Sequence, residues 1–418
     1  MMKRTTIKIL ALALAVLGGV AMIWRGRTVA SAETAGSVAS YSSTAAATTA
    51  SVDETEDLFT QRDLEQEPDL SGAVYLSVTD GDEICIEEAG VYVLSGTAEN
   101  ATVTVDAEGE KVQLVLDGLE IENEGAPCIY VKSADKVFVT TVADSSLSMS
   151  GEPATDEDKS LDGAIFSRDD LTLNGTATLT ISSSAAGVVS KDDLKITGGT
   201  YVVSAATKCL EANDSIRVAD GSFTLTAGTD GIHAENDEDD SLGYVTICGG
   251  SFQIRAGDDG IHALAYVQIA GGSFQIAAAE GIEGTYVCIT DGSIAIESWD
   301  DGINASRKSG TYQVCVEIAG GEIQIAMSAG DTDAIDSNGD VIVSGGSITI
   351  TGNSSFDYDG TAQFTGGTLI VNGQQLSSIP NQMMGGMGGQ MGGFGGQGGM
   401  GGQGGGFGGQ GGGFGGRR

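Results

Sequence analysis

Five copies of one short phrase constrain this chain more than any other feature. Asp230-Gly231-Ile232-His233-Ala234 recurs as Asp259-Gly260-Ile261-His262-Ala263, Glu280-Gly281-Ile282-Glu283-Gly284, Asp301-Gly302-Ile303-Asn304-Ala305 and Asp333-Ala334-Ile335-Asp336-Ser337. The copies begin 29, 21, 21 and 32 residues apart. A period of about 21 residues that tolerates insertions marks a solenoid whose extra residues sit in loops.

Between the copies lie two more apolar columns. Leu171, Leu194, Ile216, Val245, Val267, Val287, Val316 and Val341 begin one short strand after another. A turn follows each, as at Asn174-Gly175, Gly198-Gly199, Asp220-Gly221 and Gly249-Gly250; glycine supplies the positive φ of a tight corner. Tyr201, Phe223, Phe252, Phe274, Ile294, Ile323 and Ile348 mark the second strand. Three strands and three corners in about 21–24 residues predict an all-β parallel β-helix, a solenoid with Phe223, Phe252 and Phe274 stacked inside. A β-sandwich is the competing fold, but it does not need near-identical consecutive coils.

Four segments follow from composition. Residues 1–32 carry Lys3, Arg4 and Lys8, an apolar run over 7–24, and Ala30-Ser31-Ala32 as a small-residue cleavage site. This is a signal peptide or, because Arg25 and Arg27 follow the run directly, an uncleaved N-terminal membrane anchor. Either way the protein is expected to be secreted or held at a bacterial cell surface. Residues 33–68 are rich in Ser, Thr, Ala and acid and read as a disordered linker. Residues 69–379 form the β-helix, and the Gly-, Met- and Gln-rich stretch 380–418 reads as a disordered tail. The six cysteines include no close CxxC pair, which argues against zinc and leaves disulfides or buried thiols.

With 58 acidic against 20 basic residues, the net charge of -38 excludes nucleic acid and an anionic membrane surface as partners. Stacking the coils aligns Lys208, Asp230, Asp259, Glu280, Asp301 and Asp333 in one column and Glu211, His233, His262, Glu283, Asn304 and Asp336 in another. Rungs of a sheet lie about 4.8 Å apart. Carboxylates at that spacing repel unless a cation intervenes, and Ca²⁺, which takes roughly six to eight oxygen ligands, suits them. The expected ligands are Asp230, Asp258, Asp259, Glu280, Glu283, Asp300, Asp301, Asn304, Asp333 and Asp336. The opposing reading, that Asp before Gly merely favours a turn, explains one copy better than five. The insertion 235–240 adds five carboxylates at the same corner. Tyr244, Tyr266 and Tyr286, on three consecutive coils, are expected to be an exposed ladder for sugar rings, with His233 and His262 as further glycan contacts. No Gly-x-Ser-x-Gly elbow supports nucleophilic hydrolysis. Elimination from a uronic acid would need a cation and a base, for which Lys208 is the candidate.

Several phrases carry a family resemblance: Gly90-Val91-Tyr92-Val93-Leu94-Ser95-Gly96, Ser167-Arg168-Asp169-Asp170-Leu171, Ser190-Lys191-Asp192-Asp193-Leu194-Lys195-Ile196 and the Asp-Gly-Ile copies. Together they resemble the bacterial carbohydrate-binding β-helix domains of the clostridial cellulose- and polygalacturonate-binding type, over residues 72–372. That resemblance implies an extracellular, right-handed, single-stranded parallel β-helix with calcium sites, similar to family 9 pectate lyases. The run Ala212-Asn213-Asp214 departs from the expected Gly-Lys-Asp, which weakens the case for catalysis. The leading expectation is a non-catalytic, calcium-loaded binder of acidic plant polysaccharide, with cellulose as a further ligand. The alternatives are a calcium-dependent polysaccharide lyase using Lys208, and a structural surface protein whose calcium serves stability alone.

Overall fold

The computed structural model describes residues 4–7, 58–157, 159–328 and 332–381. Among them there is no helix, and the chain forms a parallel β-solenoid of about 12 turns. The low-complexity tail lies outside the described residues from 382 onward. So does the leader, except for the strand Arg4–Ile7.

Each regular coil contributes one strand to each of three sheets. In the coil of the second phrase copy these are Tyr244–Ile247, Ser251–Ala256 and Asp259–Ala263. Within the regular coils each strand pairs in parallel with its equivalent in the next coil, while Thr155–Asp156 with Lys159–Ser160 and Thr368–Val371 with Gln374–Leu376 form antiparallel pairs. In the first sheet Ile216 faces Val245, which faces Val267 and then Val287. In the second, Tyr201 faces Phe223, Phe252 and Phe274 in turn. In the third, Leu210 faces Ile232, Ile261, Ile282, Ile303, Ile335 and Phe356. All of these side chains are buried in one continuous core. The expected aromatic stack is present: Phe223, Phe252 and Phe274 lie 4.5 and 4.6 Å apart with planes tilted by 2°.

Glycine serves two purposes. At Gly199, Gly221, Gly250 and Gly272 the φ values of 94–143° close the corner into the second sheet. In the Asp-Gly-Ile phrase the reason is space. A Cβ on Gly231, Gly260, Gly281 or Gly302 would stand 2.4–2.6 Å from a carbonyl oxygen of the next coil.

None of the six cysteines forms a disulfide. Burial pushes the Cys128 and Cys209 thiols up to about 12, as for small apolar core residues.

The structure differs from the sequence expectation at the end of the presumed linker. Residues 58–68 lie against the first sheet as a strap. Leu58 is buried, and Asp63 is fully buried with Oδ1 2.7 Å from Lys136 Nζ and Oδ2 3.8 Å from Lys195 Nζ. Gln66 accepts a hydrogen bond from the Gly175 amide at 3.0 Å and donates one to the Thr197 carbonyl at 3.1 Å. Polar composition hid this segment because its contacts are ionic and hydrogen-bonded. Asp63→Asn leaves two largely buried ammonium groups without their counter-charge and should cost about 3 kcal/mol in chemical denaturation; a loss within experimental error would show the strap to be passive.

Candidate functional site

The phrase copies place their polar residues on the outer side of the third sheet, because alternate side chains of a strand point to opposite faces. With Ile232 and its equivalents inside, Glu211, His233, His262, Glu283, Asn304, Asp336 and Asp357 form one outward column in register. Asp259 pairs with Glu280 in the column beside it, and Asp333 with Ser354. The expected alignment is therefore present, and it continues to Asp357. Ser354-Ser355-Phe356-Asp357 lacks the Gly-Ile signature that marks the earlier rungs in the sequence. Its 21-residue offset from Asp336 was the available signal.

The N-terminal part of the column is charge-compensated. Lys191 Nζ lies 3.1 Å and Lys208 Nζ 3.6 Å from the two oxygens of Glu211. His233 Nδ1 is 2.9 Å from Asp230 Oδ2, and its Nε2 is 3.1 Å from Glu235 Oε2. His262 Nδ1 is 2.6 Å from Asp259 Oδ2 and 3.0 Å from Glu283 Oε2. Burial lowers the His262 pKa, but these two carboxylates outweigh it and hold it at about 9. Glu283 is raised by burial and pulled down further by His262 and Lys308, to about 2. The two imidazoles stack at 4.6 Å. His233, Glu235 and His262 bring ligand atoms within 4.8 Å of one another. Near-parallel rings, however, direct their lone pairs side by side rather than at one point, so the trio reads as part of the charge ladder.

The C-terminal part lacks that compensation. Burial, then the charge of Glu283, pushes Glu280 up to about 8. Burial, with Asp301, Asp357 and Asp333 adding repulsion, raises Asp336 to about 7. Burial also raises Asp301 to about 6, against a lowering hydrogen bond from the Asp333 amide. Asn304 Nδ2 donates to Glu280 Oε2 at 3.0 Å. The Asn304 and Asp357 Oδ1 atoms are buried without hydrogen-bond partners, and Asn304 is only 8% exposed. These oxygens lie on four successive rungs, and among the described residues no three of the carboxylates Glu280, Asp301, Asp333, Asp336 and Asp357 bring ligand atoms within 4.8 Å of one another, so they form an extended run of acceptors rather than one closed shell.

Of the expected calcium ligands, Asp230, Asp259 and Glu283 have histidine or lysine partners, and Asp259, His262 and Glu283 bring ligand atoms within 4.8 Å of one another. Asp258 and Asp300 are exposed at the corners. His233 and His262 are 6% and 9% exposed, and His233 lines a cleft with Lys208 and Glu211. The tyrosine ladder is real but not open. Tyr244 and Tyr266 stack at 4.8 Å, Tyr312 tilts against Tyr266 at 5.3 Å, and Tyr266 is 7% exposed. Tyr286 donates its hydroxyl proton to Glu317. The cover comes from two insertions that clasp each other: Gly310 N and Thr311 Oγ1 each donate to an Asp240 carboxylate oxygen at 2.8 Å. Lys308, on the second insertion, reaches Glu283 at 2.9 Å. Periodicity missed Lys308 because it lies in an insertion. It also missed Trp299, which is 49% exposed just before Asp300-Asp301.

Residues 80–286 and 277–378 match the family described as carbohydrate-binding domain-containing protein. A carbohydrate-binding domain-containing protein of Acetivibrio thermocellus is 36% identical over 132 residues, 29% of this chain and 45% of that protein. The chain thus spans less than half the length of this relative. A solved structure described as the polysaccharide lyase-like protein from C. thermocellum, a gadolinium derivative, covers 72% of this chain and 94% of its own at 23% identity, with a TM-score of 0.34.

The pKa pattern sets a pH dependence. A carboxylate whose folded pKa exceeds its unfolded value of about 4 destabilises the native state increasingly as pH rises through the folded value. Glu280, Asp336 and Asp301 do so up to about 8, 7 and 6. The stability contributed by His262 is likewise lost as pH rises through about 9. Chelator-treated protein should therefore have a lower urea midpoint at pH 8 than at pH 5, and Glu280→Gln with Asp336→Asn should flatten that difference. An unchanged slope in the double variant would contradict the assignment.

Proposed function

The chain belongs to the family of carbohydrate-binding domain-containing proteins, and from that premise we propose that it is an extracellular, non-catalytic binder of acidic polysaccharide that works with bound calcium. The observation that carries this reading is the uncompensated carboxylate run at the C-terminal end of the third sheet. Glu280, Asp301, Asn304, Asp333, Asp336 and Asp357 would draw cations along this run, between neighbouring rungs rather than into one closed shell. Bound there, calcium supplies positive charge that uronate carboxylates can share, which reconciles a strongly acidic protein with an acidic polymer. The chain's own residues do the rest. The register fixes the oxygens one rung apart, the buried Ile column keeps the sheet rigid, and exposed Trp299 offers an apolar face to a sugar ring. The leader-like segment supports the extracellular placement. A binding role is favoured over elimination because Lys208, the candidate base, is engaged with Glu211 rather than placed among these carboxylates.

Pull-down on insoluble polygalacturonate tests this. Retention is expected with calcium, should fall at least about tenfold in chelator, and should fall similarly in Asp336→Asn with calcium present. Retention unaffected by both chelator and substitution would remove calcium from the mechanism.

A further inference from the structure

A second place on the same face gathers basic side chains. A cleft of about 780 Å³ opens beside the coils that precede the histidine pair. Lys159, Arg168, Lys191 and Lys208 all line it, in a chain with only 20 basic residues against 58 acidic ones. The concentration has a structural cause. Ser167 pairs with Ser190 in register, so the repeated Ser-Arg-Asp-Asp and Ser-Lys-Asp-Asp phrases put Arg168 and Lys191 on successive rungs. Phe166, one residue earlier, is buried in a small apolar cluster with Tyr130 and Val189 beneath the lysines, and Lys191 Nζ lies 5.7 Å from its ring centre.

The charge balance differs from that of the other ion pairs. Arg168 is matched by Asp156 at 3.0 Å and Glu157 at 3.2 Å. Lys191 and Lys208 share one carboxylate, Glu211, so the three groups retain a net positive charge. Lys159 is exposed with no acidic partner recorded among the described residues. The protein shows elsewhere what a lysine pair does with a carboxylate: Lys136 and Lys195 hold Asp63 in the strap. With Glu211, Asp214, Glu235, Asp237, Glu238 and Asp239 the lining holds six carboxylates against four basic side chains, the acid gathered toward residues 235–239 and the base at the opposite end.

We propose that this cleft is a uronate subsite, in which Lys191 and Lys208 bind a sugar carboxylate directly, without metal. The subsite rests on the acidic-polysaccharide reading but not on calcium. It favours a single uronate flanked by uncharged residues over a continuous run of charge.

The test is the affinity of the full-length protein for a galacturonate trimer and for its methyl ester, with calcium and in chelator. Lys191→Ala with Lys208→Ala would leave Glu211 buried without its counter-charges, so the deciding variant adds Glu211→Gln, with folding checked by circular dichroism. In chelator the wild type should bind the trimer about tenfold more tightly than the triple variant, and more tightly than it binds the ester. Lys191→Arg with Lys208→Arg should retain binding. If the trimer binds only with calcium and the triple variant matches the wild type, the subsite is overturned and the calcium reading stands. If neither trimer nor polygalacturonate binds under any condition, both fall.

Discussion

The architecture depends on one constraint: in the regular coils each strand hydrogen-bonds in parallel, and in register, to the same strand of the next coil. A residue type chosen at one position therefore meets its own kind about 4.8 Å away on the next rung. For Ile232, Ile261, Ile282 and Ile303 the result is a continuous core with every one of them fully buried. For Phe223, Phe252 and Phe274 it is a near-parallel ring stack. For the glycines of the same phrase it is a backbone approach too close for any Cβ.

The same register is costly where the repeated residue is an acid. Like charges on adjacent rungs repel, and partial burial removes the water that would screen them. The solenoid meets this problem in two ways on one face. In its earlier coils, histidine and lysine are interleaved with the carboxylates, so Asp230, Asp259, Glu283 and Glu211 each have a basic partner within 3.6 Å. In its later coils no base is interleaved. There the carboxyl groups of Glu280 and Asp336 are held well above their usual range, and the acceptors on Asn304 and Asp357 go unused. The division separates a compensated half from an uncompensated one, with the clasped insertions lying over the compensated rungs.

How much of this the sequence reveals follows from what repeats. Fold, strand columns and inward residues are legible because each is written many times over, and the Asp-Gly-Ile copies align in the structure as they do on paper. What does not repeat is hidden. Lys308 reaches Glu283 from an insertion, and the strap at residues 58–68 is held by Asp63 and Gln66 rather than by an apolar pattern. Burial is also poorly legible on the outer face. Alternation correctly turns His233, His262 and Tyr266 outward, but it cannot report that Glu235, Lys308 and Tyr312 then close over them. The lysine cleft was spelled out in the Ser-Arg-Asp-Asp and Ser-Lys-Asp-Asp phrases, yet its chemistry emerges only when Lys208 and Phe166 are brought beside them.

Two modes of carboxylate recognition on one sheet would suit a polymer whose charge varies along its length, with cation-bridged contact at one end of the face and ammonium contact at the other. The claim beneath this picture is that the later coils form a real cation site rather than a tolerated cluster of acids. Calorimetric titration of calcium into metal-stripped protein at pH 7 tests it most directly. Saturable binding is predicted for the wild type, lost when Glu280→Gln and Asp336→Asn are combined and retained when the compensated Asp230 is changed to Asn. Absence of saturable heat in the wild type, or binding that survives the double substitution, would contradict the account.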